Sequence, residues 1–217
     1  MENNRLDINS TKSERRGFSG LLETLLRNFR TTTFMLLLVA VYMICILCMG
    51  IALAPSVVLF NWVSEHTVQS PPWLRALSLG LTIATGFFLY GFTLILVVPL
   101  ANKLFPFKVK TQRATWFSLS VIPWYFHNAL TYLVRYTFLD FITPTPINKF
   151  YFQMMGMKVG KGGIINTCNI SDPCLIHIGD NVTIGLGACL FGNVVVGKNA
   201  VVRPHQVVLP KSRIPGS

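Results

Sequence analysis

Hydrophobic positions fall into three regimes along the chain. Between Phe18 and Arg30 (FSGLLETLLRNFR), Leu21, Leu22, Leu25, Leu26 and Phe29 share one helical face, while Glu23, Arg27 and Arg30 lie off it. That spacing predicts a short amphipathic helix lying on a membrane surface. Then the polar positions vanish. No charged residue occurs from Thr31 to Ser64, nor from Ala76 to Asn102. Each run exceeds the ~20 apolar residues that cross a bilayer core, so the two predict a transmembrane helical hairpin.

The third regime begins at Ile178, where an aliphatic residue returns at every sixth position: Ile178, Ile184, Leu190, Val196, Val202, Val208 and Ile214. Three residues after each of the first six stand Asn181, Gly187, Asn193, Asn199, His205 and Lys211. Asn and Gly accept the left-handed backbone region, so a tight turn belongs there. A six-residue period fits neither an amphipathic helix nor an extended two-period sheet. It fits a coil of short strands, three hexads to a triangular turn. The stacking that follows sets Val196 over Ile178 and Asn199 over Asn181. It also sets Lys198 over Asp180 as an exposed ion pair, with Asp172 and Asp180 as turn residues.

Between these regimes, Trp116 to Phe141 (WFSLSVIPWYFHNALTYLVRYTFLDF) is aromatic and interrupted by Pro123, His127, Asn128, Arg135 and Asp140. It reads as an interfacial or re-entrant segment, with a third crossing as the alternative. Ile142 to Lys149 (ITPTPINK) reads as a linker stiffened by Pro144 and Pro146. The expected organisation is therefore a basic tail and amphipathic helix over 1–30, two transmembrane helices over 31–104, a membrane-proximal aromatic segment and linker over 105–149, and a left-handed parallel β-helix over 150–217.

Composition agrees. Hydrophobic residues make up 52% of the 217 and charged residues 12%, with a mean hydropathy of +0.52, outside ordinary soluble usage. The net charge of +11 gathers at the outer flanks of the apolar runs: Arg5, Lys12, Arg15, Arg16, Arg27 and Arg30 before them, and Lys103, Lys108, Lys110 and Arg113 after them. The connection from Asn61 to Arg75 has one basic residue. That asymmetry predicts an integral membrane protein with both hairpin ends and the β-helix in the cytoplasm, facing membrane lipid rather than nucleic acid. The polar start, without a cleavage-like site, reads as a tail rather than a signal peptide. The five cysteines form no metal-ligand pattern, and reduced thiols in a cytosol-facing protein are expected.

The hexads, with the approach segment FYFQMMGMKVGKGGIINTCNISDPCLIHIGD, resemble the left-handed β-helix of the hexapeptide-repeat acyltransferases. In particular they are similar to a membrane-linked branch found in peptide-synthetase-like membrane proteins. The resemblance covers roughly Ile142 to Gly216. In it MGMKVGKG opens the first coil and ISDP (Ile170–Pro173) carries a small insertion. It implies acyl transfer from an acyl-CoA, such as acetyl-CoA, to a sugar or lipid-linked acceptor, and a homotrimer. No metal is expected. The extruded loop that usually carries the family's catalytic histidine is missing here, so that histidine has no matched position.

Acyl transfer needs a general base, most often His, and donors for the oxyanion. Within the coil the candidate bases are His177 and His205. Both also suit plain structural roles, an outward strand position and a turn, and the two could meet only across a trimer interface. His127 with Asn128 is the candidate reader of a membrane-borne acceptor. Lys198 and Arg203, with Lys161, Lys211 and Arg213, give the coil a basic surface suited to CoA phosphates or to anionic lipid. The rival expectation is a non-catalytic membrane-anchored β-helix that binds or assembles, or a truncated member of the family.

Overall fold

The computed structural model describes residues 16–104, 109–111 and 118–216. The tail to Arg15, together with Lys108, Arg113 and the start of the aromatic segment at Trp116, lies outside them. Helix α1 spans Phe18–Asn28 and ends at Phe29, whose backbone leaves the helical region. Leu21, Leu22, Leu25 and Phe29 are exposed, so the apolar face read from the sequence has no covering element among the described residues.

Helices α2 (Arg30–His66) and α3 (Pro72–Leu104) pack as an antiparallel pair, with mean hydropathies of 2.9 and 2.1 in their most apolar windows. Both are long and apolar enough to cross a membrane. Their 37 and 33 residues correspond to roughly 55 and 50 Å of helix, more than the ~30 Å hydrocarbon core requires. Burial divides them unevenly. In α3, Tyr90, Gly91, Leu94, Ile95, Val98 and Pro99 are buried, whereas the half towards Pro72 buries only Thr82 and Gly86. Gly86 lets Ser56 of α2 approach closely enough to donate to its carbonyl at 2.7 Å.

The half of α3 towards Leu104 is covered by a third element. A 3-10 turn (Leu119–Val121) leads into α4 (Ile122–Val134), which continues as a π-helical turn (Arg135–Leu139). Phe34 of α2 meets Tyr125, and His127 meets Asn102. At the other end Phe138 fills the space above Gly91, where a Cβ would collide with its ring. So α4 runs parallel to α2 and antiparallel to α3, and reaches only about their middle. It is a half-length companion to the hairpin, tied near one end to Asp172 through Trp124 and near the other to Asn169 through Arg135.

The expected linker is partly helical. Pro146 starts α5 (Pro146–Met154), where its fixed φ suits the first turn. Buried Asn148 donates from Nδ2 to Thr143 Oγ1 (2.7 Å), Thr167 O (3.2 Å) and Ile165 O (3.3 Å). Helix α5 thus covers the open edge of the first coil, which would otherwise expose unpaired strand groups.

The remainder is a parallel β-solenoid of about three turns. Its two-residue strands are β1 (Lys158–Val159), β2 (Ile164–Ile165), β3 (His177–Ile178), β4 (Thr183–Ile184), β5 (Cys189–Leu190), β6 (Val195–Val196), β7 (Val201–Val202), β8 (Val207–Val208) and β9 (Arg213–Ile214). They stack on three faces in the orders β1-β3-β6-β9, β2-β4-β7 and β5-β8. Ile178 pairs with Val196 and Val196 with Ile214, while Ile184 pairs with Val202. The aliphatic position of each hexad from Ile178 to Val208 is buried, and Ile214 is half-buried. Asn181, Asn193, Asn199, His205 and Lys211 have φ between 53° and 66°, and Gly187 has 65°. Every turn position read from the sequence is therefore left-handed. The first coil is longer: Lys158 pairs with His177, but His177 with Val195. The extra length is taken up around Asp172 and the 3-10 turn Pro173–Leu175. One continuous hydrophobic core joins Cys48 of α2, through α3, α4 and α5, to Val208 in the solenoid.

Candidate functional site

Two polar clefts lie where α4 meets the solenoid, one at each end of the helix. The larger, about 360 Å³, is lined by Arg135, Asp140, Asn166, Cys168, Asn169 and Gly187 among others. Arg135 belongs to the π-helical turn, a device often found at functional sites. Its guanidinium sits 5.1 Å from the ring centre of Tyr136 and 5.8 Å from that of Tyr132. Its Nη2 donates to Asn169 Oδ1. Asn169 in turn donates from Nδ2 to Gly187 O at 3.3 Å, linking the helix to a solenoid corner. No described carboxylate pairs with Arg135. Asp140, in the same cleft, instead accepts from Cys168 Sγ at 3.1 Å. Burial, reinforced by Asp140, pushes the Cys168 thiol up to about 11, which keeps it protonated and poorly nucleophilic at neutral pH.

His205 stands outside the lining of this cleft. It occupies the turn one coil above Gly187, and its Nδ1 lies 2.7 Å from where a Cβ on Gly187 would stand. Glycine at 187 leaves a notch between Asn169 and the imidazole, and any other residue there would displace the ring. His177 is exposed on β3, between Lys158 and Val195 on a different face. The two histidines are not brought together within the chain. Neither ring has a hydrogen-bond partner among the described residues.

The smaller cleft, about 250 Å³, holds Lys110, Thr111, Trp124, Asp172, Asn193 and Lys211. Trp124 Nε1 donates to Asp172 Oδ1 at 2.7 Å, and Thr111 donates to Asn193. Burial raises the Asp172 carboxyl above its ordinary range, partly offset by the Trp124 and Ser171 hydrogen bonds. Asp172 is a turn residue with φ 54°, as expected, and it also anchors α4 to the first coil.

His127 and Asn128 point different ways. His127 is 2% exposed, shares a 3.0 Å hydrogen bond through Nδ1 with Asn102 Oδ1, and leaves Nε2 without a partner among the described residues. Burial pulls it down to about 4, so at neutral pH it is an uncharged tie between α3 and α4. Asn128 instead faces an apolar groove of about 610 Å³ between α2 and α4. Lys198 and Arg203 are exposed on the outer surface of the coil. Asp180 does not pair with Lys198. Its Oδ1 accepts from the Lys161 backbone at 2.8 Å, because the preceding turn offers an N–H nearer than the flexible lysine.

Sequence reasoning used Arg135 and Asp140 only as markers of where a membrane segment ends, and passed over Asn169. The charge inside an aromatic run was the available signal. Comparison of the chain with protein-family models and with curated proteins gives no match.

Proposed function

We propose that the protein is a membrane-anchored acyltransferase of the hexapeptide-repeat class, moving an acyl group from acyl-CoA to a polar acceptor held at the membrane. The observation that carries the reading is the junction cleft, where Arg135 of the helical block meets Asn169 and the Gly187 corner of the solenoid, one coil below His205. In this reading α2 and α3 cross the bilayer with their ends on the cytoplasmic side. Their continuous core with the solenoid fixes the cleft relative to the membrane. His205 serves as general base towards the acceptor hydroxyl, Arg135 and Asn169 orient the acceptor, and Lys198 and Arg203 attract CoA phosphates from the open surface.

Membranes carrying the protein should keep it in the pellet through an alkaline carbonate wash, since hydrophobic spans of this length insert with little reversibility. Recovery in the supernatant removes the membrane half of the proposal. For the chemistry, the full chain is reconstituted in phosphatidylcholine vesicles and given acetyl-CoA with a lipid extract from cells that produce it. Release of CoA thiol that depends on the extract is the expected result. Absence of acetyl-CoA binding at millimolar concentration sinks it.

A second reading, a β-helix that binds or assembles without catalysis, is favoured by one observation: neither solenoid imidazole has a partner to fix its tautomer and aim, as catalytic histidines usually do. It takes over if no thiol is released.

A further inference from the structure

The polar cleft and the apolar groove between α2 and α4 share a wall. Tyr136, 74% exposed, lines both. Tyr132, the other ring beneath the Arg135 guanidinium, also lines the groove. From that end the groove runs past Val41, Cys45 and Leu133 to Phe34 and Tyr125. A cation without a carboxylate partner therefore stands at one end of a long apolar track. We infer that this composite site binds a single-chain fatty carboxylate, its head on Arg135 and its alkyl chain between α2 and α4.

Three features select that occupant. First, an Arg fork matches a carboxylate in two parallel hydrogen bonds, and Arg135 is held in place by Asn169 and two aromatic rings. Second, Asp140 lines the same cleft. A carboxylate brings one negative charge towards Asp140 where a dianionic phosphomonoester would bring two, so the carboxylate is the less repelled of the two. Third, the groove is one track between two helices, and its volume of about 610 Å³ lies within the range of small-molecule sites. A second apolar hollow, lined by Leu26, Leu36 and Ile122, joins the track at its far end through Phe34, Leu37 and Tyr125, so it lengthens the track for one chain and does not seat a second chain beside the head. The carboxylate would take the Arg135 position assigned above to the acceptor and so compete with it, but its binding needs neither histidine.

The test is photolabelling of the full chain in phosphatidylcholine nanodiscs with a diazirine-bearing palmitate, read by peptide mass spectrometry. Labels are expected at Val41, Cys45 and Leu133. Exposed Val57 and Val58, outside the groove, report labelling from the bulk bilayer. Excess palmitate should suppress groove labelling about tenfold without changing Val57 and Val58, while hexadecanol, which has the chain without the charge, should not. Arg135→Gln should reduce groove labelling to a similar extent, and Arg135→Lys should retain more of it. Ala129→Trp, which fills the groove, should abolish it with the cation intact. Equal competition by hexadecanol overturns the proposal in the unaltered protein, even if the variants fail to fold. Preferential labelling by a diazirine phosphatidate, or disulfide cross-linking of two copies through Met49→Cys, would put a two-chain lipid or a second subunit in the groove and overturn it equally. Failure here with extract-dependent thiol release intact would leave the transferase reading standing.

Discussion

Ile184→Asp should unfold the solenoid, while Thr183→Asp, one residue earlier on the same strand, should leave it folded. Ile184 is fully buried and stacks between Ile165 and Val202, so it belongs to the interfaces on both sides of the middle coil. In a solenoid each coil contacts only its neighbours, and a lesion in the middle one removes both interfaces together. The substitution deletes a large aliphatic side chain, worth about 2–5 kcal/mol by itself. It also buries a carboxylate with no partner, so the total should exceed about 5 kcal/mol. Thr183 points outwards, and a carboxylate there keeps its water, at a cost within about 1 kcal/mol. Circular dichroism of the β-signal and protease resistance of the C-terminal third, on protein in the same detergent, would separate the two. Equal damage from both would contradict the inward register of the hexads.

That register was legible because it depends on a local rule repeated six times. The turn positions show how far such a rule reaches: even Lys211, which is not a usual turn residue, takes the left-handed conformation, as His205 does. A backbone hydrogen bond to the coil below, from His205 N to Leu186 O and from Lys211 N to Gly192 O, fixes each corner. The hairpin was legible for a similar reason, since a charge-free run needs only its length to be read. The junction obeys no such rule. Trp124 to Asp172, Arg135 to Asn169 and Asn148 to Thr167 are single contacts between segments with different periods. The lengthened first coil also hides Asn169 from a register counted forward from Ile178. The path of α4 depends on Phe138 finding Gly91 in α3, a fit of shape that has no pattern along the chain. Where the sequence was periodic it described the molecule, and where two periods meet it did not, which is why the cleft appears only in three dimensions.

Of the two solenoid histidines, replacing His205 should slow acyl transfer by about 10²–10⁴-fold, the usual cost of losing a general base, and replacing His177 should not. The geometry separates them. His177 is exposed on an open face, away from the residues that line the junction cleft. The His205 ring overhangs Gly187, whose carbonyl accepts from Asn169 and so ties that corner to Arg135. An alanine at 205 would confound the measurement, since its left-handed backbone disfavours a Cβ-bearing residue without a local hydrogen-bonding group. His205→Asn is the better variant. Asn already occupies this turn position at 181, 193 and 199 with φ of 53°, 65° and 58°. The substitution therefore keeps the corner and removes only the base, and the melting temperature should stay with that of the parent. Transfer rate and melting temperature are to be measured for His205→Asn, His177→Asn and the unaltered chain, in the same vesicles and with acetyl-CoA as donor. A rate loss at 205 with unchanged melting assigns the base. Full activity in His205→Asn removes it from the chemistry and returns the corner to a purely structural role.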